Sequence, residues 1–338
     1  MNKDCYLITQ HKAIKEEMIN LLNNEFNIIQ FKTTEIISTK FKGKLLLIAE
    51  EILFLLKLIA NTYKLYNKNI ICGSHHYSTL LYFRLLKLFN TNNKIYIFNF
   101  YIHETSKYSF TKNILKILFN QKMGMMVQSN NEINFFNKIS NNITISYFPF
   151  CMNEIVFNKN SNFSYHDYIF SGGYTNRDYG LLIESSKKFP DIKFIIVCSN
   201  LNNLPSIIPP NVIVLKNLPS DLFHSYLFNS KIVIIPLKED VGSSGQMVAL
   251  AAMQAEKPII YPSFDVISQY FDNFINGVEY EAGKILSLNN AISYCIENNK
   301  TAINIAGNAK MKYYKNFQRK NYLEALKINI NNFFEHLN

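Results

Sequence analysis

Nothing in this sequence approaches the roughly 18 uncharged apolar residues that a bilayer-spanning helix requires. The opening MNKDCYLITQHK has no apolar core of the secretory kind. A cytoplasmic location is the expectation. The five cysteines, Cys5, Cys72, Cys151, Cys198 and Cys295, share no metal-ligand spacing and suggest no disulfide framework, so they read as small buried side chains. No Asp-X-Asp, internal repeat or recognisable nucleic-acid module is present. No metal, no cofactor and no nucleic-acid partner is expected. Charged residues are also scarce, at 18% against 48% apolar, which excludes a disordered chain; 338 residues suffice for two folded domains.

The charge that is there is unevenly placed. Of the net +10, residues 1–150 hold 18 Lys/Arg against 9 Asp/Glu, and the remainder 17 against 16. The abundance of Asn, Ile, Lys, Phe and Tyr is what AT-rich coding produces, but that does not account for the balance of the second half. A basic face that meets an anionic substrate or membrane surface is the physical alternative.

The most informative stretch is Lys231 to Tyr261, KIVIIPLKEDVGSSGQMVALAAMQAEKPIIY. Its ends, IVIIP and KPIIY, have the β-branched composition of buried parallel strands. Between them, a loop from Glu239 to Gln246 carries Gly242, Ser243, Ser244 and Gly245 and leads into MVALAAMQA, a run of good helix formers. A helix that starts beside a glycine loop offers unpaired N–H groups and a positive dipole end, the natural seat for a phosphate.

Other strand ends gather polar groups. Asn69 to Cys72 reads as a strand ending in Gly73-Ser74-His75-His76, and Lys94 to Tyr101 as one ending in Ile102-His103-Glu104. Ligands of open α/β sheets sit at such carboxyl ends, which places His75, His76, His103 and Glu104 at one rim. In the second half, Tyr168 to Ser186 repeats the order strand, glycine loop, helix; Gly172 and Gly173 permit close approach of a ligand, and Arg177 can fork onto a diphosphate. Lys238, just ahead of the main loop, adds charge. The segment Lys44 to Tyr66 forms a long helix too charged to cross a bilayer, with Glu50, Glu51, Lys57 and Lys64 in it. So apolar a helix is expected to be buried between a sheet and its neighbours, with docking at a membrane interface as the alternative. A basic helix over KYSFTKNILKILFNQK has the same alternative. The polar run Asn158 to His166 reads as an interdomain linker.

Gly245 to Ile260 resembles the donor-binding segment of retaining GT-B glycosyltransferases of the family 4 type, in which a glycine loop leads into an EAMA.GKPVI helix and strand. The resemblance extends over most of residues 95–320 and is strongest over 168–282. It implies an α/β fold of two doubly wound Rossmann-like domains facing across a cleft. The domains would be 1–157, binding the acceptor, and 158–318, binding the donor; a helix over 319–338 would cross back to the first. It also implies sugar transfer from a nucleotide-diphosphate sugar to a glycan or lipid-linked acceptor in bacterial surface-polysaccharide synthesis, metal-independent and with retention. By the same resemblance His103, with Glu104, lies near the donor sugar. Gly172, Gly173, Arg177, Lys238, Ser243, Ser244, Gly245, Gln246 and Met247 hold the donor phosphates, and Asn217 and Leu218 pass the nucleobase. The sequence departs from the family where its two glutamates fall on Ser243 and Ala251, which leaves the ribose contact to Glu239 or Glu279. The basic first domain suits an anionic membrane surface. A non-catalytic sugar-nucleotide-binding relative and a nucleotide-sugar epimerase of the same architecture are the alternatives.

Overall fold

Strands that are apolar at every position, not at alternate ones, need cover on both faces, and parallel sheets flanked by helices supply it. The computed structural model describes residues 3–8, 12–30, 44–73, 77–89, 91–98, 108–119, 123–140, 143–157, 167–241 and 244–336. These residues divide into two units, one of 1–148 with 322–338 and one of 149–321.

The first unit runs β1 (Lys3–Ile8), α1 (Lys12–Leu22), β2 (Phe26–Gln30), α2 (Lys44–Ala60), α3 (Thr62–Leu65), β3 (Asn69–Cys72), α4 (Tyr77–Leu88), β4 (Lys94–Ile97), α5 (Tyr108–Leu118), β5 (Met123–Val127), α6 (Asn130–Asn137) and β6 (Thr144–Tyr147). Its strands are all parallel, in the order β2-β1-β3-β4-β5-β6. Local sequence sets some of the ends: the Ser129 hydroxyl accepts from the Glu132 N–H at the start of α6, and the Glu132 carboxylate accepts in return from the Ser129 N–H, a reciprocal capping box.

The second unit contains β7 (Tyr168–Gly172), α7 (Tyr179–Ser186), β8 (Lys193–Cys198), β9 (Val212–Lys216), α8 (Ser220–Phe228), β10 (Ile232–Ile234), α9 (Gln246–Gln254), β11 (Ile259–Pro262), α10 (Asp265–Ser268), β12 (Val278–Tyr280), α11 (Ile285–Glu297) and α12 (Asn299–Lys312). The sheet is again all parallel, ordered β12-β11-β10-β7-β8-β9. From β7 the chain first winds outward through β8 and β9, then crosses to β10 on the other side. The switch point therefore lies between β7 and β10, where an open α/β sheet leaves a crevice at its carboxyl ends.

A last helix, α13 (Arg319–His336), belongs to the first unit from Tyr322 onward. Phe333 packs edge-on to Tyr96 and Phe334 to Phe26, while Lys327 pairs with Glu25 at 2.7 Å. At Gly124 of β5 an added Cβ would fall 2.6 Å from a Phe333 ring carbon, so the glycine is what admits this ring.

Two sequence expectations are revised. The first unit ends at Phe148 and not at residue 157. The following segment is held by the second: the Phe150 N–H donates to the Tyr270 hydroxyl at 2.9 Å, the Ile155 N–H donates to Gln254 Oε1 at 2.7 Å, and Phe157 stacks on Phe228. The polar run 158–166 lies outside the described residues. Helix α2 is not buried all round: Phe54 and Leu58 enter the core, whereas Ile52, Leu53, Leu56 and Ile59 are exposed. Helical spacing puts these two sets on opposite sides of one helix, so apolar composition alone could not tell cover from exposure.

Candidate anion-binding site at the switch point of the second sheet

Strand β7 ends at Gly172, and the next residue, Gly173, has φ +135°, a conformation closed to ordinary side chains. A Cβ at Gly173 would also lie 2.5 Å from Nε and Cζ of Arg177. The guanidinium thus rests directly on the glycine. Its Nε donates to the Gly172 carbonyl at 3.1 Å and its Nη1 to the Thr175 carbonyl at 2.8 Å. Two of the five N–H donors a guanidinium carries are used. Nη2 has no hydrogen-bond partner among the described residues, and no carboxylate pairs with this arginine among them. Burial pulls its pKa down from the ordinary value, while the neighbouring Tyr179 and Tyr280 push it back up. Asp178, which follows, accepts from the Leu181 N–H at 3.0 Å and caps α7, fixing the position of the arginine from the other side.

The loop after β10 is stitched to this turn. Arg177 forms an antiparallel bridge with Leu237, and the Asp178 N–H donates to the Pro236 carbonyl at 2.9 Å. Asn176, at φ +51°, donates from its side-chain amide to the Glu239 carbonyl at 2.8 Å and accepts from the Glu239 N–H at 3.1 Å. The Lys238 N–H donates to the Asn176 carbonyl, which leaves the exposed lysine side chain beside the arginine turn. Asp240 turns away: its two carboxylate oxygens accept from the Asp265 and Val266 N–H groups at the start of α10.

The same loop delivers the start of α9. Gly245, at φ +84°, is its N-cap, and a Cβ there would meet Ile235, Leu237 and Ile267 side chains at 3.1–3.4 Å. Gly245 has no side chain with which to cap this helix, and the Met247 and Val248 N–H groups have no partner among the described residues. Ser244 is buried and donates its hydroxyl to the Val241 carbonyl, a bond within the loop itself. Gln246 is buried and Met247 exposed.

On the far side, Tyr174 joins three segments. Its hydroxyl donates to the Leu218 carbonyl at 3.2 Å and its carbonyl accepts from the Asn202 amide at 3.2 Å. Asn217, at φ +53°, donates its N–H to the Cys198 carbonyl and accepts from the Asn200 N–H. A groove of about 550 Å³ lies next to this turn, between residues 202–208 and Val214 and Lys216 of β9. Gly172, Gly173, Arg177, Asn217, Leu218, Lys238, Gly245 and the α9 start therefore come together at the carboxyl ends of β7–β10. Glu279 sits further along the same sheet, on the edge strand β12, whose next residue, Tyr280, neighbours Arg177. Ala251 is fully buried within α9. Ser243, His75, His76, His103 and Glu104 lie outside the described residues. Asn176 and Tyr174 were not singled out from the sequence; an asparagine in a glycine-bearing loop is the signal that could have marked the first, since Asn tolerates positive φ.

Beneath the arginine, the Tyr179 hydroxyl donates to the Gly173 carbonyl at 2.7 Å, and burial raises its pKa. The Tyr280 hydroxyl is buried without a hydrogen-bond partner among the described residues. Among those residues no group of three or more His, Cys, Asp or Glu is placed to hold a metal ion. What the arrangement offers is a fixed cation, uncapped N–H groups and exposed backbone, with the carboxylate of Asp240 directed elsewhere. That chemistry suits an anion.

No protein-family model matches the sequence, and no curated protein matches it significantly. Solved structures do match over nearly the whole chain. Sucrose-phosphate synthase from Thermosynechococcus elongatus has a TM-score of 0.70 at 11% identity, covering 99% of each chain. A glycosyltransferase from Rickettsia africae scores 0.67 at 15% identity, again with 99% of each covered. Anabaena HepE in complex with UDP-glucose scores 0.64 at 14% identity, covering 99% of this chain and 100% of HepE. At these identities the likeness is one of fold, and the fold is the α/β architecture with two parallel sheets seen in GT-B glycosyltransferases, as the sequence led us to expect.

Proposed function

We propose that this chain is a glycosyltransferase that takes a sugar from a nucleotide-diphosphate donor, with the diphosphate held between the Arg177 turn and the start of α9. The observation that carries the reading is Arg177 itself: a cation seated on a glycine, with spare donors and no carboxylate partner among the described residues, at a sheet's switch point. As the glycosidic bond breaks, the leaving nucleoside diphosphate gains negative charge. Donors already fixed in place stabilise that charge more than the bound substrate, which is what accelerates the step. Solved structures of HepE, a fold relative, carry UDP-glucose and UDP, which supports a uridine nucleotide as the first donor to try. On the resemblance set out above, the reaction is of the family 4 kind, retaining and metal-independent. His103 and Glu104 serve the sugar, and the acceptor is a glycan or lipid-linked sugar of surface-polysaccharide synthesis.

The test is release of free sugar or transfer to water from UDP-sugars, comparing wild type with Arg177→Ala and Arg177→Lys. The alanine variant should lose roughly 10²-fold or more in rate, the scale of a lost transition-state anion contact. Lysine, a point charge without the planar fork, should recover only part. Equal rates in all three would reject the reading.

One observation favours a binding-only relative: Ala251, where the family places a ribose-holding glutamate, is buried in α9 and offers no polar atom from its side chain. Nucleotide binding with no turnover of any donor and acceptor tried, and no effect of His103→Ala, would select that reading.

A further inference from the structure

We propose that the first unit docks on an anionic lipid bilayer through the exposed side of α2 and α3. At 100° per residue, the exposed residues Ala49, Ile52, Leu53, Leu56, Ile59 and Ala60 fall within about 120° of arc on α2. Leu53 is 67% exposed and Tyr63, in the next turn, 75%. Scattered apolar residues are ordinary on a protein surface, but a continuous stripe along one helix is not. The opposite side of the helix is already committed to the core through Phe54 and Leu58, so the stripe is not an alternative packing face.

The charge beside the stripe says what covers it. Lys57 and Lys64, seven residues apart, flank one edge, and the Lys64 ammonium lies 5.4 Å from the Tyr63 ring centroid. Glu51 is drawn inward, accepting from the N–H and hydroxyl of Ser78 on α4. The Asn92 N–H donates to Asn67 Oδ1 and the Asn93 amide to the Leu65 carbonyl, which ties the end of α4 to the end of α3. Exposed Leu88 and Phe89, at 73% and 70%, therefore stand at the same end as Tyr63, with Lys87 beside them. An apolar stripe edged by lysines, on the half of the chain with 18 Lys/Arg against 9 Asp/Glu, matches acyl chains under anionic headgroups. A soluble acidic partner would want the charge without the stripe; a second copy would bring lysines against lysines. Every residue used belongs to the first unit, so the inference does not depend on the donor site in the second.

The experiment is co-sedimentation of the full chain with vesicles of phosphatidylcholine alone or mixed with phosphatidylglycerol, at low and raised salt. Light scattering without lipid reports self-association. Wild type should sediment with the anionic vesicles and be released by salt. Leu53→Glu with Leu56→Glu should lower the partition by about tenfold or more, since both side chains are exposed and their burial in lipid is lost. Lys57→Glu with Lys64→Glu should lower it by a similar factor and flatten the salt dependence. Circular dichroism melts matching wild type would confirm that both pairs fold. Absence of wild-type binding, binding indifferent to both pairs, or a lipid-free dimer that Leu53→Glu with Leu56→Glu dissociates would each overturn the proposal.

Discussion

Arg177 and Gly173 form one device. The glycine supplies the φ that turns the chain and the bare surface on which the guanidinium lies. Gly173→Ala should therefore act twice, straining the backbone by about 1–3 kcal/mol and displacing the arginine. A melting curve and a nucleotide titration check this; we expect a modest loss of stability with at least tenfold weaker binding, and unchanged binding would contradict it. Asn176 has a different task. Its amide pairs with both the N–H and the carbonyl of Glu239, so Asn176→Ala should cost about 1–2 kcal/mol through two lost hydrogen bonds and a disfavoured φ. Asn176→Gly keeps the φ and loses only the amide; a glycine variant as stable as wild type would remove the amide from the account. Burial lowers the Arg177 pKa, yet a guanidinium stays charged at any working pH. Diphosphate affinity should then stay level between about pH 7 and pH 9. A decline across that window in a titration series would mean that a group titrating there, not the arginine, makes the contact.

At the level of elements, strand and helix order was legible because burial on two faces leaves unbroken apolar runs, as in IVIIP before the loop and KPIIY after α9. Gly245 was legible for a related reason, since a helix that starts without a polar cap needs another way to turn. What a linear reading missed are the contacts made across the fold: Asp240 spent on α10, Ser244 turned into its own loop, and Tyr174 tying β7 to the β9–α8 turn. Ser244 and Asp240 have the residue types of ligand-binding groups, and only tertiary geometry shows the bonds they make. The apolar run of α2 gave the opposite ambiguity, because core and lipid select the same side chains. Helix α13 offers a direct check on packing. Gly124→Val should expel the Phe333 ring and destabilise the first unit by about 1–3 kcal/mol, the usual penalty for overfilling a packed site. Limited proteolysis should then cut within α13 earlier than in wild type; an unchanged pattern and melting point would show that the close approach is not important.

For the molecule as a whole, both sheets were expected and both are present, while the boundary moves because residues 150–157 find their partners in the second unit: Tyr270, Gln254 and Phe228. A polar run is a natural place to look for a linker, but hydrogen bonds and stacking decide which unit a segment joins. The donor reading draws its structural support from the second unit alone, where the α/β switch point, the arginine turn and the glycine-led start of α9 coincide. Its central claim is that a nucleoside diphosphate binds there through Arg177. The most direct measurement is a thermal shift of wild type and Arg177→Ala with UDP, GDP and ADP, since a ligand at a hundredfold excess over its Kd adds about 2.7 kcal/mol to the folded state. We predict that at least one diphosphate raises the melting temperature of wild type and that the alanine variant, folded but without the fork, loses most of that rise. No rise with any of the three, or an equal rise in the variant, would contradict the account.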